Sequence, residues 1–133
     1  MRRPTIAETR VLIVDDHPYM RRGLAQTIND QPGLEVCGEA GSLAEAVQLM
    51  ETCSPHLAVI DISLGAESGM ELIQVLRDRW PATKVLVSSM HDETLFAERA
   101  LRAGALGFVN KGEPPDVFLT ALQRVNSGQI YLS

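Results

Sequence analysis

Several things are scarce in this sequence, and each scarcity closes off a class of protein. Only two cysteines occur in 133 residues, Cys37 and Cys53. They have neither metal-ligand spacing nor a framework of other cysteines around them, so both are expected as reduced, structural thiols rather than a disulfide. No run approaches the roughly 18 uninterrupted apolar residues of a bilayer-crossing helix. The N-terminus, Met1-Arg2-Arg3-Pro4-Thr5, is basic but is not followed by the apolar core of a secretory signal, so a cytoplasmic location with no membrane partner is expected. Basic excess is missing too. A formal net charge of −5 argues against this chain itself gripping nucleic-acid phosphates. Internal repeats and low-complexity tracts are also lacking.

What remains is an ordinary globular composition, 45% apolar and 22% charged, in a length that suits one domain with a sizeable core. Short β-like runs at 10–14, 34–38, 57–60, 84–88 and 106–109 alternate with stretches whose apolar residues recur at helical spacing. The helical stripes are Met20, Leu24 and Ile28; Leu43, Val47 and Met50; Leu72, Ile73 and Leu76; Phe96, Ala100 and Leu101; and Val117, Phe118, Ala121, Leu122 and Val125. Ser42-x-x-Glu45 and Ser68-x-x-Glu71 read as capping boxes. Pro18 suits a first helical turn, Gly104 and Gly128 suit helix ends, and Pro81 makes continuation of the third helix unfavourable. Five β-α units in strict alternation imply an α/β domain, a parallel sheet with helices on both faces. Residues 1–9 read as a flexible leader, 10–128 as the domain and 129–133 as the start of a linker or tail.

Chemistry gathers at the C-terminal ends of the strand runs, where the crevice of an open parallel sheet lies. Asp15 and Asp16 follow Val11-Leu12-Ile13-Val14, Asp61 follows Leu57-Ala58-Val59-Ile60, and Lys111 comes shortly after Leu106-Gly107-Phe108-Val109. Three close carboxylates repel one another unless a cation sits between them, and Mg²⁺ suits hard oxygen donors. Two acids are then available for the metal while Asp61 acts as nucleophile toward a phosphoryl group. Lys111 supplies a compact ammonium. Ser89, at the end of the fourth run, offers a hydroxyl to a phosphate oxygen, and Ser88 is expected to point to the opposite face.

Four motifs then carry a resemblance: Val14-Asp15-Asp16-His17-Pro18; Asp61 with Gly69 eight residues on; Ser89-Met90-His91-Asp92; and Gly107-Phe108-Val109-Asn110-Lys111. In this order they resemble the receiver domain of a bacterial two-component response regulator, over nearly the whole chain from about residue 9. The Asp-Asp-His-Pro opening, Met-His-Asp, and the closing Gly-Gln-Ile-Tyr-Leu-Ser resemble the NarL/LuxR-type (NarL/FixJ) subfamily. The resemblance implies a flavodoxin-like (βα)5 fold, a doubly wound parallel five-stranded sheet of order 2-1-3-4-5. It implies that Asp61 accepts phosphate from a histidine kinase, and that Mg²⁺ is held by Asp16, Asp61 and the backbone carbonyl of Ser63, with Asp15 acting through water. Lys111 and Ser89 would bind the phosphoryl oxygens, with Ser89 and Phe108 as the switch pair. Homodimerisation on phosphorylation, through the first and fifth helices, and a DNA-binding helix-turn-helix domain beyond Ser133 are also implied, so the chain is expected to be an excised receiver, with a stand-alone receiver as the alternative.

The sequence departs from the family pattern at Gly65, four residues after the acceptor and commonly proline, and at Gly112, where many receivers have proline. Gly65, Met90 and His91 are expected to tune the lifetime of the phosphorylated form.

Plainer readings stand beside these. Asp15 and Asp16 would also suit a helix N-terminus, Phe108 would suit plain core, and His17 and His91, without a matched ligand set, read as loop residues. An aspartyl-nucleophile phosphatase is a competing function. Such enzymes usually carry a second acid two residues after the nucleophile, and Ser63 stands there instead. A phosphorylation-independent interaction module is the other alternative.

Overall fold

The computed structural model describes residues 8–62, 66–90 and 94–132. The elements run β1 (Thr9–Val14), α1 (Pro18–Asn29), β2 (Leu34–Ala40), α2 (Leu43–Cys53), β3 (Leu57–Asp61), α3 (Ala66–Arg79), β4 (Lys84–Ser89), α4 (Thr94–Ala103), β5 (Gly107–Asn110), α5 (Pro115–Asn126) and β6 (Tyr131–Leu132). The strands form one parallel sheet of order β2-β1-β3-β4-β5-β6. Strand order reverses between β1 and β3, so the crevice at that end lies where Asp15 and Asp61 leave the sheet.

Alternation along each central strand divides the core in two. Val11, Ile13, Leu57, Val59, Leu86 and Val109 face one way and pack with Ala25 and Ile28 of α1 and with Phe118, Leu122 and Val125 of α5. Leu12, Val14, Ala58, Ile60, Val85, Val87 and Phe108 face the other way, against Met50 of α2, Leu72, Ile73 and Leu76 of α3, and Ala100 of α4. Burial on both faces explains why β1, β3 and β4 read as unbroken apolar runs.

Local signals set the boundaries. Ser42 Oγ accepts from the Glu45 N–H at 3.2 Å, and Glu45 Oε1 reaches back to the Gly41 N–H at 2.9 Å, one residue earlier than a standard capping box. Pro18 occupies the first turn of α1. Gly104 and Gly128 take positive φ, +126° and +84°, and close α4 and α5 with paired bonds. Ala105 N donates to Ala100 O and Gly104 N to Leu101 O, while Gln129 N donates to Arg124 O and Gly128 N to Val125 O.

Three expectations need correction. The sheet has six strands rather than five, because the turn at Gly128 sends residues 131–132 back along β5, pairing Gly107 with Tyr131 and Phe108 with Leu132. Residues 129–133 were expected to be only the start of a tail. Ser68 is not a helix cap, since α3 is already helical at Ala66. Met20 is 39% exposed. It lines an open groove between α1 and α5, and the residues that the helix buries are Ala25 and Ile28.

Cys37 lies where the β1–β2 register slips, Val11 pairing with Val36 and Leu12 with Gly38. Cys53 Sγ donates to the Cys37 carbonyl at 3.0 Å, and both cysteines are free thiols. Burial, followed by the hydrogen bond and charge of Cys53, pushes the Cys37 thiol up to about 12 from 9.0. Its thiolate is therefore scarce at neutral pH. Alkylation of Cys37 by iodoacetamide at pH 8, followed by peptide mass mapping, is expected to be slower than that of an unstructured cysteine peptide and to accelerate on unfolding. The close approach at Gly107 gives a second expectation. A Cβ there would stand 2.7 Å from Val125 Cγ2 and 2.8 Å from Leu86 Cδ1. Gly107→Ala is therefore expected to lose about 1–3 kcal/mol in urea unfolding.

Candidate functional site

Four of the strands deliver groups to the same edge. Asp15 and Asp16 directly follow β1, Asp61 is the last residue of β3, Ser89 the last of β4, and Lys111 directly follows β5. Their backbones are fixed by continuation of the sheet: Asp15 N donates to Ala40 O at 2.9 Å and Lys111 N to Ser89 O at 2.7 Å. Gly69, eight residues after Asp61, allows α3 to approach the end of β3. A Cβ there would lie 3.3 Å from Ile62 Cα.

The centre of the site is an ammonium shared by two carboxylates. Lys111 Nζ is 3.0 Å from Asp15 Oδ2 and 2.8 Å from Asp61 Oδ2, and all three side chains are 3% exposed or less. Asp16 is 45% exposed and faces solvent. His17, expected as a bystander in the loop, is in the loop but not a bystander. Its Nδ1 lies 3.1 Å from Asp15 Oδ1, 3.0 Å from Asp16 Oδ1 and 3.7 Å from Asp61 Oδ2. The sequence signal was its place directly after the acid pair. Arg21 was also missed. Its Nη1 donates to the Asp15 carbonyl at 2.7 Å and its Nε lies 3.3 Å from Glu39 Oε1, bracing the Asp15–Asp16 segment against β2. Arg21 lies one helical turn beyond the loop, and nothing in its spacing from the acids marks it.

The plain capping reading of the acids is not what the structure contains. The N-cap of α1 is His17, with no side-chain cap bond. Asp15 Oδ1 instead accepts the His17 N–H at 2.8 Å, which ties the loop to the pocket.

Ser89 is fully buried and Phe108 is 4% exposed. In the alternation of β4, Ser89 falls on the face of Val85 and Val87, which is also the face of Phe108 and α4. Ser88 takes the other face, as expected, and lines a groove between α1 and α5 together with Met20, Leu24, Lys111 and Phe118. Met90 is 59% exposed. At Gly112 the backbone N–H donates to Asn110 Oδ1 at 2.7 Å, a bond that a proline there has no hydrogen to make. Ser63, Gly65 and His91 lie outside the described residues.

One oxygen or nitrogen from each of Asp15, Asp16, His17 and Asp61 falls within 4.8 Å of the others. Three hard carboxylates at one point fit a small divalent cation, and the buried acids with one lysine leave negative charge for it to neutralise. A buried carboxylate, an ammonium and an acid cluster together have the parts of a phosphoryl-transfer site.

Residues 11–123 match the family model described as the response regulator receiver domain. The chain belongs to that family. Among its relatives, the transcriptional activator protein ExaE of Pseudomonas putida is 42% identical over 123 residues, covering 92% of this chain and 57% of that protein. The nitrate/nitrite response regulator protein NarL of Escherichia coli K12 is 31% identical over the same coverage of each chain. A crystal structure of a LuxR-family two-component response regulator from Aurantimonas sp. SI85-9A1 superposes with a TM-score of 0.89 at 32% identity, covering 95% of this chain and 90% of that one. The receiver is thus of the NarL/LuxR type and has the flavodoxin-like fold. It spans a little over half the length of these curated relatives. Among the described residues, no helix is long and apolar enough to cross a membrane.

Removing the shared ammonium leaves two buried carboxylates facing each other. Lys111→Met is expected to lose about 3–5 kcal/mol in urea unfolding with a chelator present, and to recover part of that loss in millimolar Mg²⁺.

Proposed function

We propose that this receiver is a phosphorylation-controlled switch that takes a phosphoryl group on Asp61 from a phosphohistidine of a sensor kinase. The observation carrying this reading is the buried contact of 2.8 Å between Lys111 Nζ and Asp61 Oδ2, with Asp15 and Asp16 alongside. An Asp61 carboxylate oxygen attacks phosphorus. The phosphorus–nitrogen bond of the donor breaks, and the imidazole leaves with that electron pair. Asp16, Asp61, the Ser63 carbonyl and, through water, Asp15 would hold Mg²⁺, which neutralises charge on the phosphoryl oxygens. Lys111 holds those oxygens from the β5 side and keeps Asp61 oriented. Its short side chain and buried position make Ser89 the hydroxyl that turns toward the new phosphoryl group. Phe108, on the same face, then packs behind it and passes the change to α4. Gly65, His91 and Met90 set how fast water reaches the acyl phosphate.

Tyr19 is 94% exposed, and with Met20 it flanks the groove that contains Lys111. This gives a partner helix apolar surface beside the acceptor. The output read from the relatives is transcription, through a DNA-binding domain outside this chain, in a cytoplasmic two-component pathway. Homodimerisation on phosphorylation would convey the signal. No turnover of a separate substrate is proposed, because position 63, where a phosphatase wants its acid, is serine.

Incubation with acetyl phosphate and Mg²⁺ is expected to add the mass of one phosphoryl group to the wild type and nothing to Asp61→Ala, as read by intact mass. Equal gain in both proteins, or none in either, would discard the reading. Binding of beryllium fluoride that leaves the Ser89 and Phe108 amide resonances unmoved would favour the phosphorylation-independent module instead.

A further inference from the structure

The receiver chemistry above leaves one group in the pocket without a task. His17 Nδ1 stands 3.1, 3.0 and 3.7 Å from oxygens of Asp15, Asp16 and Asp61. Donor atoms that share a small divalent ion at about 2.1 Å stand about 3 Å from one another, so the spacing to Asp16 already matches and that to Asp61 needs a small closure. We propose that His17 Nδ1 is itself a ligand of the divalent cation in this pocket. The site then has a mixed nitrogen–oxygen donor set that favours an imidazole-accepting ion, such as Mn²⁺ or Ni²⁺, over Mg²⁺. This rests on the metal-dependent reading of the acid cluster given above.

The backbone holds the ring in place. His17 is extended at φ −99°, ψ 104°, a conformation enforced by the proline that follows it. Its N–H is tied to Asp15 Oδ1 at 2.8 Å. Lys111 occupies the other oxygen of Asp15, Oδ2, which leaves Oδ1 turned toward the imidazole. Because Asp15 and Asp61 are buried while the His17 side chain is 61% exposed, the ring forms the solvent side of the cluster. Ligation requires the proton on Nε2, which faces away from the three acids in that tautomer and leaves Nδ1 its lone pair. Affinity for imidazole rises from Mn²⁺ to Ni²⁺ in the usual order, whereas Mg²⁺ retains oxygen ligands and water. The nitrogen therefore separates ions that an all-carboxylate pocket would treat more alike.

The alternative role for the ring is a charged hydrogen-bond donor to the acids, which an incoming ion would displace. Pulsed electron paramagnetic resonance on the Mn²⁺-loaded protein separates the two. Nitrogen hyperfine coupling is expected in the wild type, changed by heavy-nitrogen labelling of histidine and lost in His17→Ala. By calorimetry, His17→Ala is expected to bind Ni²⁺ and Mn²⁺ about tenfold or more weakly with a smaller change for Mg²⁺. His17→Asn is expected to behave like His17→Ala. Bound Mn²⁺ without nitrogen coupling, coupling that persists in His17→Ala, or equal losses for Mg²⁺ and Ni²⁺ would overturn the assignment while leaving the metal-dependent switch intact. A wild type that binds none of these ions would overturn both.

Discussion

The structure turns on one buried ammonium group. Lys111 Nζ lies between Asp15 and Asp61, with all three side chains 3% exposed or less. A buried carboxylate is expensive unless it is paired and hydrogen-bonded, so neither acid is tolerable there without the lysine. The lysine would be equally costly without the acids. The contact joins residue 15 to residue 111, so the ends of β1, β3 and β5 must converge before the ammonium meets both of its acids.

That convergence depends on the central strands being apolar up to their C-terminal ends. β1, β3 and β4 are buried on both faces, which leaves their positions set by packing and backbone ladders rather than by charge. A close-packed core resists small displacements, and the carboxylates inherit that rigidity through one or two peptide units. Arg21 extends it to the exposed side. By holding the Asp15 carbonyl and Glu39 together, it ties the acid-bearing loop to β2, the strand on the far side of β1 from Asp61. The site therefore has a fixed half, Asp15, Asp61 and Lys111, and a solvent-facing half, Asp16 and His17.

How much of this was legible in the sequence follows from which interactions are local. Asp15, Asp61 and Lys111 were legible because each directly ends a recognisable strand run, and the crevice of a parallel sheet lies at that end. The helical stripes of α3 and α5 were legible because Leu72, Ile73 and Leu76, and Phe118, Ala121, Leu122 and Val125, are all buried. Met20 misled because periodicity says which way a side chain points and not whether a neighbouring helix closes over it; here it lines an open groove. The two residues of β6 are too few to show alternation. They pair only because the Gly128 turn aims them at β5. His17 has no matched ligand nearby along the chain beyond the acid pair, because Asp61 arrives beside it from a different strand. Arg21 acts on a backbone carbonyl, which leaves no trace in side-chain pattern.

The reach of Lys111 adds a constraint that none of the reacting groups reveals. β5 and β3 are not neighbours. β4 lies between them, and with strands about 4.8 Å apart the gap from β5 to β3 is roughly 10 Å. A long unbranched side chain is needed to cross it, and the end of β4 must stay low enough to be crossed. The register places Ser88 of β4 beside Asp61, and Ser89 beside Asn110. Both serines are buried and small. A bulky residue at Ser88 would stand in the path of the lysine stem and separate the ammonium from its acids. The two serines thus divide the work by face: Ser88 leaves room for Lys111 on the α1–α5 side, and Ser89 offers its hydroxyl on the side of Phe108 and α4. The strand that contributes no charge decides whether the charges on either side of it can meet.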